Sequence, residues 1–249
     1  MRLASVVLVL ALGAAPAASF EGKPKFGPDA VPLAQATQYL RRAPAPDYWK
    51  LAQFYLPQQT SSACSVASVA MAVNFARGVP PGAEDSLVTE AGLLEAVADP
   101  AWTAKGAEAG EGVLFEELVD AVQKGLAAYG VANAELETFE PKDADPATLA
   151  RLRAILAANE GSDRDVVLVY FNQGVLTGDW DGPHVSPIGA YDAASGRVLV
   201  MDVDREWYVP YWAPDEKLLD ALLKPAPAEH GPLAAETGGL VWIKPGAAR

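Results

Sequence analysis

The order of the hydrophobic patterns along the chain restricts its possible folds more than any other feature. Up to about residue 160, apolar residues recur at the spacing of amphipathic helices. Beyond that point, short β-branched runs are separated by Gly, Asp and Asn, which is typical of strands. We predict helices at 64–78, 85–98, 114–129, 146–158 and 215–223, and strands at 165–171, 184–192, 197–204 and 240–244. Helices followed by strands indicate an α+β fold rather than a repeating βαβ fold.

The first of these helices begins at Cys64, the single cysteine of the 249 residues. The apolar residues that follow it predict one buried helix face: Val66, Val69, Ala70 and Val73. The two serines just upstream, Ser61 and Ser62, are candidate N-caps. Cys64 is therefore expected in the first turn, where free N–H groups and the helix dipole stabilise a thiolate. The pattern alone fits a nucleophile and a small core residue equally well.

The first twenty residues have the layout of a secretory signal peptide. Arg2 precedes an apolar run from Leu3 to Leu12, and small residues follow it. This run is about half the ~20 residues that a membrane span needs, which disfavours an N-terminal anchor. We expect residues 1–19 to be removed and residues 20–249 to form one exported domain, located in a bacterial periplasm.

Composition narrows the classes of function. The formal net charge of −13 disfavours nucleic acid and anionic membranes as partners. A single cysteine cannot form an internal disulfide, so an exported chain would carry a free thiol. One Cys and two His cannot build a thiolate metal site of the usual kind, and we expect no bound cofactor. The sequence leaves the oligomeric state open.

A cysteine nucleophile needs a base, and the chain offers only two histidines. His230 lies in a polar segment rich in Pro and Gly, which is typical of a surface position. His184 lies where a loop of Gly and Asp enters an apolar strand, and a side chain at a strand end can point into a cleft. His184 is therefore the better candidate, with a purely structural histidine as the alternative.

The remaining catalytic groups are each ambiguous between two residues. Asp202 or Asp204, on the strand after His184, could orient the imidazole if the two strands pair as a hairpin. The backbone N–H of Cys64 and the side-chain amide of Gln58 or Gln59 could stabilise a tetrahedral oxyanion. The resulting order of Gln, Cys, His and Asp is that of papain-like enzymes.

Three segments match the patterns of one narrower family. Its hallmark is a glutamine six residues before Cys-Gly-x-Ala-Ser, with an asparagine further on, and the corresponding residues here are Gln58, Cys64, Ala67, Ser68 and Asn74. Its Gly-His-Phe-Ser-Pro-Ile-Gly-Gly-Tyr segment resembles PHVSPIGAY at 183–191. Its Leu-Asp-Val-Ala-Arg segment, with Tyr-x-Pro-x-Trp beyond it, resembles MDVDREWYVPYW at 201–212. Over about 47–213, the chain thus resembles the phytochelatin synthases, papain-like enzymes that act on glutathione.

The resemblance implies a role for each matching residue. Cys64 would be the nucleophile, His184 the base, Asp202 its orienting partner and Gln58 the oxyanion donor. The implied fold is papain-like, with the cysteine at a helix start in a helical N-terminal half and an antiparallel sheet in the C-terminal half. Arg205 and Tyr208 match positions beside the substrate site of the family. Arg205 could bind a substrate carboxylate in a bidentate manner, or form an ordinary surface ion pair.

The implied reaction is attack by Cys64 on the amide that joins γ-glutamylcysteine to glycine in glutathione, which leaves a γ-glutamylcysteinyl thioester. Water or a second glutathione would then accept the acyl group. The cysteine-rich C-terminal half of the plant enzymes is absent, so we expect hydrolysis to exceed transfer, with metal ions bound only to substrate thiols. Ser65 and Pro183 replace family glycines. A peptidase acting on other peptides and a non-catalytic binding protein are the alternatives.

Overall fold

The computed structural model describes residues 25–78, 87–131 and 133–246. The signal peptide predicted at residues 1–19 lies outside these ranges. Within them, no helix combines the length and the apolar character that a membrane crossing requires.

A seven-stranded antiparallel sheet forms the centre of the described structure, with strand order β1-β6-β5-β4-β3-β7-β2. Its strands are β1 (Val31–Pro32), β2 (Glu135–Phe139), β3 (Val166–Asn172), β4 (Pro183–Asp192), β5 (Arg197–Val200), β6 (Tyr211–Pro214) and β7 (Gly239–Lys244). Five of the seven strands come after residue 160, which confirms the predicted sheet in the C-terminal half.

The described α-helices mostly precede the sheet in the chain. They are α1 (Thr37–Leu40), α2 (Pro46–Leu51), α3 (Cys64–Arg77), α4 (Glu90–Val97), α5 (Pro100–Lys105), α6 (Phe115–Ala128), α7 (Pro146–Glu160), α8 (Gln173–Thr177) and α9 (Asp215–Leu223). Short 3₁₀ turns occur at Leu33–Gln35, Ala52–Phe54 and Ala228–Leu233. The α+β fold class is confirmed, with Cys64 as the first residue of a helix in the N-terminal half.

Helices cover both faces of the sheet, and β3 shows why its sequence is a continuous apolar run. All seven residues of β3 are buried. Alternate side chains enter two apolar clusters, because successive residues of a strand point to opposite faces. Val166, Leu168 and Tyr170 pack with α3, whereas Val167, Val169 and Phe171 pack with α7 and α9. This central strand is therefore a rigid support for the neighbouring β4.

The prediction of a single buried face for α3 is wrong. Every residue from Ser65 to Phe75 is buried. Helix α3 contacts β3 and β4 on one side and α2, α4 and α6 on the others. A helix surrounded in this way is buried on all sides, which suits its run of Ala, Val and Ser. At its N-terminal end, α3 presents Cys64 to a cleft.

Candidate active site

Cys64 is the first residue of α3 and is half-buried. The N-cap position is Ala63, and no described side chain caps the helix there. The predicted capping by Ser61 and Ser62 is therefore wrong, because both hydroxyls bind the 108–110 loop instead. The Ser61 hydroxyl accepts a hydrogen bond from the backbone N–H of Ala109, and the Ser62 hydroxyl donates to the carbonyl of Gly110. The uncapped first turn leaves backbone N–H groups available beside the thiol.

His184 lies at the start of β4 and contacts Asp202. The Nε2 atom of His184 is 3.1 Å from Oδ1 of Asp202. His184 is 5% exposed, and Asp202 is fully buried. The two residues meet because β4 and β5 pair as an antiparallel hairpin, as the sequence predicted. Asp202 itself lies just beyond the end of β5 rather than inside the strand.

The environment of the imidazole favours its charged form. Burial alone would lower the pKa of His184, but the Asp202 carboxylate and a hydrogen bond with Cys64 outweigh it. Together they raise the pKa of His184 well above its usual range. Because Nε2 faces Asp202, Nδ1 is the ring nitrogen left for Cys64. This arrangement places the Cys64 thiol beside an imidazole that favours its charged form.

Two further groups hold the buried Asp202 carboxylate. The side-chain Nε2 of Gln173 donates a hydrogen bond to Oδ2 over 2.8 Å. The backbone N–H of Asp204 donates to Oδ1 over 2.9 Å. Asp204 therefore stabilises the Asp202 carboxylate through a backbone N–H group, and Asp204 also lines the cleft. Burial raises the pKa of Asp204.

The sequence analysis missed Gln173, which is fully buried. Gln173 begins α8 directly after β3, and the last residue of β3, Asn172, pairs with Pro183 beside the histidine. The sequence signal available for Gln173 was a polar residue directly after an apolar strand that is followed by the histidine strand.

Gln58 is fixed next to the His–Asp pair. Its backbone N–H donates to the carbonyl of Val203 over 2.8 Å, directly after Asp202 in the chain. Its side chain lines the same cleft as Cys64 and His184. The Oε1 atom of Gln58 is buried and has no hydrogen-bond partner among the described residues. Gln59 also borders the cleft but is exposed.

Of the two predicted substrate contacts, Tyr208 lines the cleft, whereas Arg205 does not. Tyr208 is buried, lines the cleft and donates a hydrogen bond from its hydroxyl to Oδ2 of Asp179 over 3.0 Å. Arg205 is exposed and is absent from the described cleft lining. Its guanidinium lies 5.6 Å from the centre of the Tyr55 ring. Tyr55 in turn donates to the backbone carbonyl of Asp202, so Arg205 supports the loop that contains Asp202 from outside.

The cleft around these groups has a volume of about 620 Å³. Five carboxylate side chains line it: Glu108, Glu111, Asp179, Asp204 and Glu206. Trp180 and Trp207 contribute aromatic walls, and the predicted surface histidine, His230, packs edge-on against Trp180. Within the described ranges, no group of three or more His, Cys, Asp or Glu side chains is arranged to hold a metal ion.

Several other residues of the cysteine segment have structural partners. The Ser68 hydroxyl donates to the carbonyl of Val185 over 3.0 Å, which ties α3 to the strand of His184. Asn74 binds both backbone groups of Val88 through its side-chain amide.

Ser65, which replaces a family glycine, accepts a hydrogen bond from the indole N–H of Trp102 over 3.0 Å. The serine thus anchors α5 behind Cys64.

Comparison with known proteins agrees with this architecture. The family model described as "Phytochelatin synthase" matches residues 31–230. Glutathione gamma-glutamylcysteinyltransferase 2 of Arabidopsis thaliana is 25% identical over 82% of this chain and 40% of its own length. Glutathione gamma-glutamylcysteinyltransferase 3 of Lotus japonicus is 26% identical over 70% of this chain and 34% of its own length. Glutathione gamma-glutamylcysteinyltransferase 1 of Arabidopsis thaliana is 23% identical over 74% of this chain and 35% of its own length.

The alignments with these curated relatives span 34–40% of the relatives' lengths. The family match, in contrast, covers most of this chain and contains Gln58, Cys64, His184 and Asp202. The chain therefore belongs to the phytochelatin synthase family.

Proposed function

We propose that this protein cleaves the bond between cysteine and glycine in glutathione and forms a γ-glutamylcysteinyl thioester on Cys64. The observation that carries the proposal is the position of His184, which contacts both Cys64 and Asp202 beside the cleft that Gln58 also lines. The names of the relatives, which are glutathione gamma-glutamylcysteinyltransferases, support glutathione as the substrate.

In the first half-reaction, the Cys64 thiolate attacks the carbonyl carbon of the cysteinyl residue. The tetrahedral oxyanion then accepts hydrogen bonds from the backbone N–H of Cys64 and the side-chain amide of Gln58. Imidazolium His184 donates its proton to the glycine nitrogen as the carbon–nitrogen bond breaks. Glycine leaves, and the γ-glutamylcysteinyl group stays on sulfur as a thioester. Asp202 holds the imidazole in place throughout, with Gln173 behind it.

In the second half-reaction, neutral His184 takes a proton from the incoming nucleophile. Water gives γ-glutamylcysteine, whereas the amine of a second glutathione gives a longer peptide. We propose that hydrolysis exceeds transfer. A second glutathione carries net negative charge at neutral pH, and five carboxylate side chains that line the cleft would repel it, whereas water is unaffected.

The proposal includes no resident metal, so metal ions would arrive only on substrate thiols. It also keeps the predicted organisation of a leader at residues 1–19 and one catalytic domain at 20–249, exported to the periplasm. Tyr208 would form a wall of the substrate site through its bond to Asp179. Contact of Arg205 with the substrate stays a prediction.

The test is release of glycine from glutathione, measured by mass spectrometry for the wild type and for Cys64→Ala, with and without cadmium or zinc. We expect rapid release by the wild type, with γ-glutamylcysteine as the main product, and none by Cys64→Ala with an unchanged circular dichroism spectrum. Release that survives Cys64→Ala contradicts the mechanism. Equal cleavage of Ala-Cys-Gly, which has no γ-glutamyl group, would indicate a broader peptidase instead.

A further inference from the structure

The segment 25–27 lies beside the cleft, which Lys25 lines. The backbone N–H of Lys25 donates to the carbonyl of Trp207 over 3.2 Å. The backbone N–H of Gly27 donates to the carbonyl of Thr177. A Cβ atom at Gly27 would lie 2.9 Å from that same carbonyl oxygen, so only glycine allows this close approach. The segment is thus bound on both sides of the position that Phe26 occupies.

Phe26 adds an aromatic contact to this attachment. Its ring centre lies 5.9 Å from that of Tyr208 and 5.2 Å from that of Tyr211. Tyr211 is fully buried, and Tyr208 lines the cleft. Aromatic pairs at these separations stabilise a fixed arrangement. Phe26 therefore anchors the segment that places Lys25 at the cleft.

The side chain of Lys25 reaches into this cleft beside a carboxylate. Its Nζ atom lies 3.5 Å from Oδ1 of Asp179 and 4.2 Å from the ring centre of Trp207. The side chains of Lys25 and Asp179 are 38% and 30% exposed, so both can still reach a ligand. Because the Tyr208 hydroxyl binds Oδ2 of Asp179, the carboxylate is held in position.

Lys25 is also the single lysine or arginine among the described residues that line the cleft. Glutathione carries two carboxylates, and the acidic lining repels both of them except near this ammonium group. Residue 25 precedes the region that the family model matches, 31–230. The single lysine of the described cleft lining thus lies outside the region that the family model matches.

We propose that Lys25 and Asp179 bind the α-amino-acid head group of the γ-glutamyl residue, an inference that rests on the proposed function. The Lys25 ammonium would bind the α-carboxylate, and the Asp179 carboxylate would bind the α-ammonium. Adjacent charges of opposite sign complement a zwitterion. The lone glycine carboxylate at the other end of glutathione fits less well, because Asp179 would repel it.

The test compares three tripeptides that differ only in this head group. Glutathione has both charges, 4-aminobutanoyl-Cys-Gly lacks the α-carboxylate, and glutaryl-Cys-Gly lacks the α-ammonium. We expect Lys25→Met to raise KM for glutathione about tenfold, with kcat changed less than twofold, because one charge-assisted contact is lost. Lys25→Met should then process glutathione and 4-aminobutanoyl-Cys-Gly alike. We expect the wild type to prefer glutathione to glutaryl-Cys-Gly, and Asp179→Asn should lose this preference.

Lys142→Met is the matched control, because this lysine is 74% exposed and lies outside the cleft lining. It should keep the wild-type preference among the three peptides, as should Lys25→Arg in large part. If Lys25→Met discriminates between glutathione and 4-aminobutanoyl-Cys-Gly as strongly as the wild type does, the assignment is wrong while the proposed reaction stands.

A binding measurement separates this inference from the catalytic proposal. Calorimetry of γ-glutamylcysteine with the Cys64→Ala protein needs no turnover. Weaker binding of about tenfold after Lys25→Met in that background supports the head-group site, even if the wild type releases no glycine from glutathione. Equal binding by the two proteins overturns it.

Discussion

The Nε2 atom of His184 lies 3.1 Å from a carboxylate oxygen of Asp202, and Asp202 is fully buried. A buried carboxylate destabilises the fold unless it is paired. The contact with His184 therefore offsets the cost of burying Asp202. The imidazole gains in return a fixed orientation and a pKa well above its usual range. The other ring nitrogen is then directed to Cys64, which joins a buried charge pair to a thiol at a helix start.

Asp202→Asn should shift the alkaline limit of activity to lower pH. The Asp202 carboxylate raises the pKa of His184, whereas burial lowers it, so removal of the charge leaves only the contact with Cys64 to oppose burial. Imidazolium is the form that protonates the leaving glycine, and it will then be lost at a lower pH. We expect the alkaline limb of kcat/KM to move to lower pH. An unchanged limb would show that Asp202 does not act through the imidazole.

Gln58→Ala should reduce kcat far more than Gln59→Ala. Loss of one oxyanion donor reduces kcat by about 10²–10³-fold in enzymes of this type. Gln59 is exposed, so its truncation serves as the matched control, with an expected change of less than about threefold. Steady-state kinetics on glutathione measure kcat for both variants. Equal losses of kcat would contradict the proposed role of Gln58 as an oxyanion donor.

Gln173→Met should lower kcat by about tenfold and leave KM within about twofold, because it removes the donor that holds Asp202 while keeping a side chain of similar size. Since Gln173 touches Asp202 and not the cleft, substrate binding should be spared. A rise in KM with unchanged kcat would contradict this positioning role.

Ser65→Ala should destabilise the protein by about 1–3 kcal/mol, because the buried indole N–H of Trp102 loses its acceptor. In the Trp102→Phe background, where no N–H remains, the same serine substitution should cost much less. Urea denaturation of the four proteins measures this coupling. Additive effects would mean that the observed hydrogen bond does not contribute to stability.

The residues that we propose to be catalytic could be identified from the sequence because they lie close to regular patterns. Cys64 begins a long apolar helix, and His184 and Asp202 belong to one hairpin whose strands are adjacent in the chain. Local periodicity predicts a helix start and a pair of neighbouring strands. The family resemblance then favoured Gln58 over Gln59 as the oxyanion donor.

The rest of the site depends on contacts that no local pattern encodes. Lys25 reaches the cleft because Phe26 packs against tyrosines far along the chain, and Gln173 is opposite Asp202 only after the sheet has formed. The capping prediction for Ser61 and Ser62 failed for the same reason, since the distant 108–110 loop competes for both hydroxyls. Strands β2 and β6 were missed because one is an exposed edge strand and the other has four residues ending in proline.

The central claim is that Cys64 carries the γ-glutamylcysteinyl group as a thioester. Acid quenching of the wild type within its first turnovers on glutathione, followed by intact-protein mass spectrometry and peptide mapping, tests this directly. We predict a mass increase equal to one γ-glutamylcysteinyl group, located on the peptide that contains Cys64 and absent from Cys64→Ala. Continuous glycine release with no adduct on that peptide, or the same adduct on Cys64→Ala, would contradict it.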